Sequence, residues 1–315
     1  MLISLVVRAK NEGRHLPRLI EGINAQDVSA LECILVDSGS TDNTIEIAGQ
    51  AGWKIVQLAS DRFTFGRSLN LGCSVATGDV IIILSAHVYP LRVDYLRKML
   101  ESIVENPQAV AYGRQVGNMT TRFSERMVMS NWFPAERITD QGHAFTNNAN
   151  SAVHRELWER FRYNEELSGL EDIDFSARVL ASGGQVTYVS DAPVVHVHEE
   201  TFRGIYHRYH REAVAYKQIF PGERMSARTG VSLFARNVFR DLQFARSEGV
   251  LRREFTSVVE FRFAQFFAAW NGFREGGSRE SDLQRKMYHP GEFGSNQSED
   301  AVSEVPLIVY RDDDV

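Results

Sequence analysis

Residues 2–7 form a near-continuous apolar run that ends at Arg8, and residues 11–25 follow with Leu16, Leu19, Ile20 and Ile23 at helical spacing. Such a pair predicts a buried strand feeding an amphipathic helix. The pattern repeats, with strands over 33–36 and 54–58 and helices over 43–51 and 67–76. Residues 80–84 are five consecutive aliphatics, the signature of a strand buried on both faces at the centre of a parallel sheet. Alternation at this spacing predicts right-handed βαβ units, hence an α/β fold with a mainly parallel central sheet.

Beyond a helix over 92–104 the regularity loosens. A short strand is predicted near 109–116, a helix near 123–128, an apolar segment at 149–153 leading to a helix through Trp158, a helix over 170–182 and a strand over 185–189. After residue 199 strand signals stop, and helices are predicted over 201–220, 232–246 and 254–273. The last holds Phe255, Phe261, Phe263, Phe266, Phe267, Trp270 and Phe273, more aromatic surface than one helical stripe carries. Packing on the main domain is the default for it; pairing with another copy of the chain and contact with a membrane surface are the alternatives. The organisation expected is a domain over 1–220, a helical extension over 221–290 and a disordered acidic tail over 291–315, apart from an apolar segment at 305–310.

Charge sharpens this division. The net charge of −6 is that of the tail alone, where seven acids face Arg311, while residues 201–253 hold eleven Lys or Arg against four acids. A segment this basic suits phosphates or anionic lipid, or is a solvated helix face; no nucleic-acid partner is expected. Apolar runs fall far short of the roughly 20 residues that span a bilayer, so neither signal peptide nor transmembrane helix is expected. Cys33 and Cys73 show no metal-ligand spacing and are expected to be reduced thiols. The expected location is cytoplasmic, with peripheral contact at the inner membrane face as an extension.

Polar groups gather where the predicted strands end. Arg8 and Asn11 follow the first, Asp37 and Ser38 the second, and Ser85-Ala86-His87 the run at 80–84. Ligands of open α/β sheets bind beyond the carboxyl ends of the strands. Neither a dinucleotide fingerprint nor a P-loop occurs, so phosphate charge would have to be met by a metal or by arginines.

Four segments together carry a resemblance: Leu5-Val6-Val7-Arg8-Ala9-Lys10-Asn11-Glu12; Ile34-Leu35-Val36-Asp37-Ser38-Gly39-Ser40-Thr41-Asp42; Gly66-Arg67-Ser68-Leu69-Asn70 with Gly78-Asp79; and Gly169-Leu170-Glu171-Asp172-Ile173-Asp174-Phe175. In their order and motifs they resemble the family 2 inverting glycosyltransferases of the GT-A fold, over about residues 1–220. The resemblance implies transfer of a hexosyl or deoxyhexosyl group from a nucleotide-diphosphate sugar to a hydroxyl of a glycan or lipid-linked acceptor, in surface-polysaccharide or glycolipid synthesis. It implies Asp172 as the base, with Glu171 beside it, and a donor pocket of Arg8, Asn11, Asp37, Ser38, Arg67, Asn70, Asp79, Ser85 and Asn148.

The family's Asp-x-Asp motif at the end of the fourth strand is replaced here by Ser85-Ala86-His87. Imidazole is a good ligand for Mn²⁺, Fe²⁺ or Zn²⁺ and a poor one for Mg²⁺, so the substitution biases the expected divalent metal, with Mn²⁺ favoured over Mg²⁺, held by His87 and His198 with His196 in reserve. A metal-free site using Arg203, Arg208 or Arg211 is the alternative within enzymes, and a catalytically silent sugar-nucleotide binder or partner subunit the alternative outside them. Asn147 and Asn150 are candidates for sugar hydroxyls, and Trp132, Phe133 and His143 for stacking on a sugar ring.

Overall fold

The computed structural model describes residues 1–275 and 305–310. Its first half is built as the apolar pattern dictates. Strands β1 (Ile3–Ala9), β2 (Leu31–Asp37), β3 (Lys54–Gln57) and β4 (Val80–Ser85) pair in parallel, joined by helices α1 (Leu16–Asn24), α2 (Thr44–Gln50) and α3 (Phe65–Val75). Strand β4 shows why it is central. Alternate side chains leave opposite faces of a strand, so Ile82 and Leu84 pack with Leu16 and Leu19 of α1, whereas Ile81 and Ile83 pack with Leu69 and Cys73 of α3. All four are fully buried, and each contributes roughly 1.5–3 kcal/mol by leaving water.

The second half departs from a purely parallel sheet. After β5 (Val88–Pro90), α4 (Tyr95–Glu105), β6 (Ala109–Val116) and α5 (Phe123–Trp132) come β7 (Asn150–His154), α6 (Arg155–Phe161), α7 (Glu171–Ala181) and β8 (Gln185–His196). The eight strands lie in the order β3-β2-β1-β4-β7-β6-β8-β5. Strand β7 is antiparallel to both β4 and β6, and β5 is antiparallel to β8, so parallel pairing is the majority and not the rule. Pro90 is tolerated in β5 because that strand lies on the sheet edge.

Strand β8 runs seven residues beyond its predicted end. A register shift against β6 between Gly113 and Gln115 lets pairing resume with Val194 and Val195, and so delivers His196 to the end of the sheet.

Helices α8 (Phe202–Ile219), α9 (Ala227–Ser247) and α10 (Leu251–Arg274) close the described main body. The default expectation for the aromatic helix holds for one face: Phe261, Phe266 and Phe273 of α10 are buried, with Tyr209, Ala213 and Tyr216 of α8 in the same clusters. The approach of α8 and α10 is close enough that a Cβ on Gly272 would lie 2.6 Å from the His210 carbonyl oxygen. Three aromatics, Phe255, Phe263 and Phe267, stay exposed. Within the acidic tail, Leu307 bridges to Arg92 and Tyr310 packs edge-on against Tyr89, which accounts for the apolar segment at 305–310. The expected disorder of the other tail residues, and the end of the helical extension beyond 275, lie outside the described residues. No described helix is long and apolar enough to cross a membrane.

Candidate active site

A cleft of about 600 Å³ opens at the carboxyl ends of β1 and β4, where α7 and α8 meet them. Arg8, Asn11, Ser85, His87, Asn148, Glu171, Asp172, His196 and His198 all line it. Residues from five separate segments are therefore brought together, as the convergence of polar strand ends requires.

At one end stands Asp172, on the first turn of α7. The residue before the helix, Leu170, is held at φ +56°, a left-handed conformation that costs a β-carbon-bearing residue about 1–2 kcal/mol. That turn aims Glu171 and Asp172 at the Asn147–Asn148 loop. The Asn148 backbone N–H donates to Asp172 Oδ2 at 3.0 Å, and the Ile173 N–H to Oδ1 at 2.8 Å. Burial, and then the adjacent Glu171 carboxylate, push the Asp172 carboxyl up to about 7. Glu171 itself is buried, 3.5 Å from Arg8 Nη1 and within hydrogen-bond reach of Asn148 Nδ2. Arg8 Nε and Nη1 and Arg211 Nε are buried and make no hydrogen bond among the described residues. Both guanidinium groups lie 4.9 Å from the centre of the Phe65 ring.

At the other end His87, His196 and His198 bring three ring nitrogens within 4.8 Å of one another. Each imidazole is oriented through its Nδ1: His87 to Glu12 at 2.8 Å, His196 to Gln115 at 2.7 Å and His198 to Glu125 at 2.6 Å. This leaves Nε2 of each ring as the inward atom, and Nε2 of His196 and His198 lie 2.9 Å apart. Burial, then the charges of His198, His87 and Arg208, hold the His196 imidazole well below its ordinary value and hence neutral. With Nδ1 of both rings donating outward, two lone pairs would face each other at Nε2 unless a proton or a cation lies between them. Three imidazoles, each hydrogen-bonded behind by an oxygen, are a donor set that fits a borderline divalent transition metal. Burial opposes ionisation of Glu125, but Arg208 and His198 outweigh it and hold its carboxyl down at about 2.

Five residues implied for the donor pocket do not line this cleft. Asp79 precedes β4, so it lies at the amino ends of the parallel strands, where its carboxylate accepts from the Leu2 N–H. Strand direction alone puts it at the wrong edge of the sheet. Asn70 is buried between the Tyr163 backbone, Trp158 Nε1 and Glu165. Arg67 pairs with Glu165 and the Arg62 carbonyl. Asp37 and Ser38 do sit at the carboxyl end of β2, but the Asp37 carboxylate is turned into its own loop, accepting from the N–H groups of Gly39 and Ser40.

Among the secondary candidates, Asn147, Trp132 and Phe133 line the cleft, whereas Asn150 is buried against Tyr95 Oη and the Ala192 carbonyl, and His143 bonds Gln141. Of the three arginines, Arg208 is spent on Glu125 and Glu200, Arg211 lines the cleft and Arg203 does not. Glu12, Gln115, Glu125 and Glu212 were not singled out by the sequence. Only Glu12, next to Asn11 in the first motif, carried a signal that could have found it.

The sequence profile of "Glycosyl transferase family 2" matches residues 4–162, just over half of the chain. The O-antigen chain rhamnosyltransferase RfbN of Salmonella typhimurium is 25% identical over 228 residues, covering 66% of this chain and 70% of that one. A PGL/p-HBAD biosynthesis glycosyltransferase of Mycobacterium bovis is 24% identical over 239 residues, 74% of this chain and 88% of the relative. Among solved structures, the mannosyltransferase PcManGT from Pyrobaculum calidifontis, in complex with GDP-Man and Mn²⁺, superposes with a TM-score of 0.59 at 17% identity, covering 85% of each chain. S. aureus TarS 1-349 in complex with UDP-GlcNAc superposes at 0.55 with 16% identity, over 84% of this chain and 90% of that one. The profile match establishes the family and the superpositions the fold: the chain belongs to glycosyl transferase family 2 and is a nucleotide-sugar glycosyltransferase of the GT-A fold.

Proposed function

We propose that the chain is an inverting transferase in which Asp172 takes the proton of an acceptor hydroxyl as that oxygen attacks the anomeric carbon, while the bond from that carbon to the nucleoside diphosphate breaks. The observation that carries this reading is the Asp172 carboxyl itself, raised to about 7 and lining the same cleft as the three-histidine cluster. A hydroxyl is a weak nucleophile near neutrality, and a base with a proton affinity near the working pH is the efficient partner for it. Glu171 keeps that affinity high and, through Arg8, stays fixed in place.

His87, His196 and His198 would hold a divalent metal, with Mn²⁺ favoured over Mg²⁺ because all three ligands are nitrogen. A bound ion there would offset the charge that builds on the departing diphosphate. Arg8 Nε and Arg211 Nε, buried and without a hydrogen-bond partner among the described residues, would donate to the same phosphates. The donor would extend from Ser85 and Asn148 toward Asn11, Asp37 and Ser38, with Trp132 and Phe133 against a sugar ring. The names of the relatives, an O-antigen chain rhamnosyltransferase and a PGL/p-HBAD biosynthesis glycosyltransferase, support hexosyl or deoxyhexosyl transfer to a glycan or lipid-linked acceptor. The basic, aromatic C-terminal helices support an acceptor met at the membrane face of the cytoplasm.

A panel of nucleotide-diphosphate sugars, assayed for nucleoside-diphosphate release with Mn²⁺, with Mg²⁺ and with EDTA, tests the proposal. Turnover with Mn²⁺ that Asp172→Asn abolishes supports it. Nucleotide binding with no turnover on any donor, or turnover indifferent to Asp172→Asn, refutes it.

A further inference from the structure

The exposed side of the C-terminal helices carries a second concavity. Val231 and Phe234 of α9 and Phe263, Phe266, Phe267 and Trp270 of α10 surround a groove of about 410 Å³ whose lining is almost wholly apolar. That volume is within the range of small-molecule sites. Along α10 the outward positions Phe255, Val259, Phe263, Phe267, Trp270 and Arg274 follow at steps of three or four, one continuous face of a helix. Phe263 and Phe267 are 47% and 41% exposed and stack on each other, and Val231 across the groove is 68% exposed. Aromatics left at a water interface in this density are a docking surface, since burial of each would be favourable.

Charge decides the occupant. Helix α9 carries four arginines, and its sole acid, Asp241, is buried on Arg262. Arg228 is exposed on α9, and Arg274 lies 4.9 Å over the Trp270 ring at the groove's end. On α8, Phe202 stacks on Phe263 with Arg203 exposed next to it. An apolar furrow with Arg274 at its end, Arg203 beside Phe202 and Arg228 beside Ala227 fits a hydrocarbon chain below a layer of anionic headgroups. A second copy of this chain would bring the same arginines against themselves.

We propose that the α9–α10 groove takes a lipid hydrocarbon chain and seats this face on an anionic bilayer. The purpose of such seating rests on the membrane-facing acceptor read above; its test does not. Helix α8 is shared by both features, lending Arg208 and Arg211 to the cleft and Tyr206 to the packing against Phe267, so seating α9 and α10 would hold the cleft close to the bilayer.

Co-flotation of the full chain with vesicles of equal parts phosphatidylglycerol and phosphatidylcholine, against phosphatidylcholine alone, is the experiment. Binding is expected to the anionic vesicles, to weaken with salt, and to fall at least about tenfold in Phe263→Ser/Phe267→Ser, two exposed positions whose loss leaves the core intact. Bromine-labelled acyl chains should quench tryptophan emission in the wild type and not in Trp270→Phe. The proposal is overturned if anionic vesicles float no protein, if the double variant binds as well as the wild type, if quenching survives Trp270→Phe, or if sedimentation shows a dimer that the double variant dissociates. Nucleotide-sugar turnover measured in the same samples without vesicles separates failure here from failure of the catalytic assignment.

Discussion

Nε2 of His196 and Nε2 of His198 face each other across 2.9 Å, each ring fixed from behind by an oxygen of Gln115 or Glu125. With one proton between them the two nitrogens share a hydrogen bond, and with none both lone pairs are free, together with His87, to hold a metal ion. Single alanine variants of His87, His196 or His198 should therefore weaken Mn²⁺ or Co²⁺ binding strongly. Glu125→Gln should weaken it about 10–100-fold without removing a ligand. Calorimetric titration of the metal-stripped protein measures both. Equal affinity in the wild type and His196→Ala would remove the cluster from consideration as a metal site.

Asp172 gives a paired prediction for rate and stability. Because its folded carboxyl is raised to about 7 from an ordinary 3.8, the folded state holds a proton that the unfolded state releases. The contribution is fully present below the ordinary value and is lost as pH rises through about 7. Transfer under subsaturating substrate should rise with pH through the same region, since only the ionised form accepts a proton. Asp172→Asn should lower turnover by about 10²–10⁴-fold yet raise Tm at pH 8, with little change at pH 4. A variant that loses activity and also melts earlier at pH 8 would point to a structural role instead.

Asp79 and Asn148 test position against motif. Asp79→Ala removes the acceptor for the Leu2 N–H at the amino edge of the sheet and should cost about 1 kcal/mol of stability while leaving the KM for donor unchanged. Asn148→Ala, in the cleft and bonded to Glu171 and Ser151, should raise KM or lower kcat and also lower Tm, since it leaves two buried groups without a partner. Reversal of this pattern in steady-state kinetics would return Asp79 to the donor site.

What the sequence made legible was local. The βαβ half follows from apolar runs whose periods are plain, and Asp172, His87, His196 and His198 stand at strand or helix ends where polar residues have no packing reason to be. The antiparallel entry of β7 was not legible, because a five-residue strand with four residues buried carries no direction. Glu125 was hidden for a different reason: it is one acid on an ordinary helix, and its partner His198 is 73 residues away. Asp79 misled because its motif order was right, while the direction of β4 placed it at the opposite edge of the sheet from the cleft.

The buried pair Asp241–Arg262 connects the C-terminal helices to the cleft. Arg262 Nε lies 2.7 Å from Asp241 Oδ2, Ser124 Oγ donates to the same oxygen at 2.7 Å, and Arg262 Nη1 donates to Gln265. Both ions are almost fully enclosed, so Asp241→Ala would strand a guanidinium without its counterion and should cost about 3–5 kcal/mol. In a chain this size that is a Tm loss of roughly 6 °C or more. Asp241→Leu combined with Arg262→Met should recover most of it, since an apolar pair of similar volume avoids the desolvation penalty. Ser124 is followed directly by Glu125, so the single variant should also loosen the hydrogen bond that orients His198, and the double variant should not restore it. Thermal melts compared with Co²⁺ affinity across the three proteins separate the two effects: recovered Tm with metal binding still weak is the expected result.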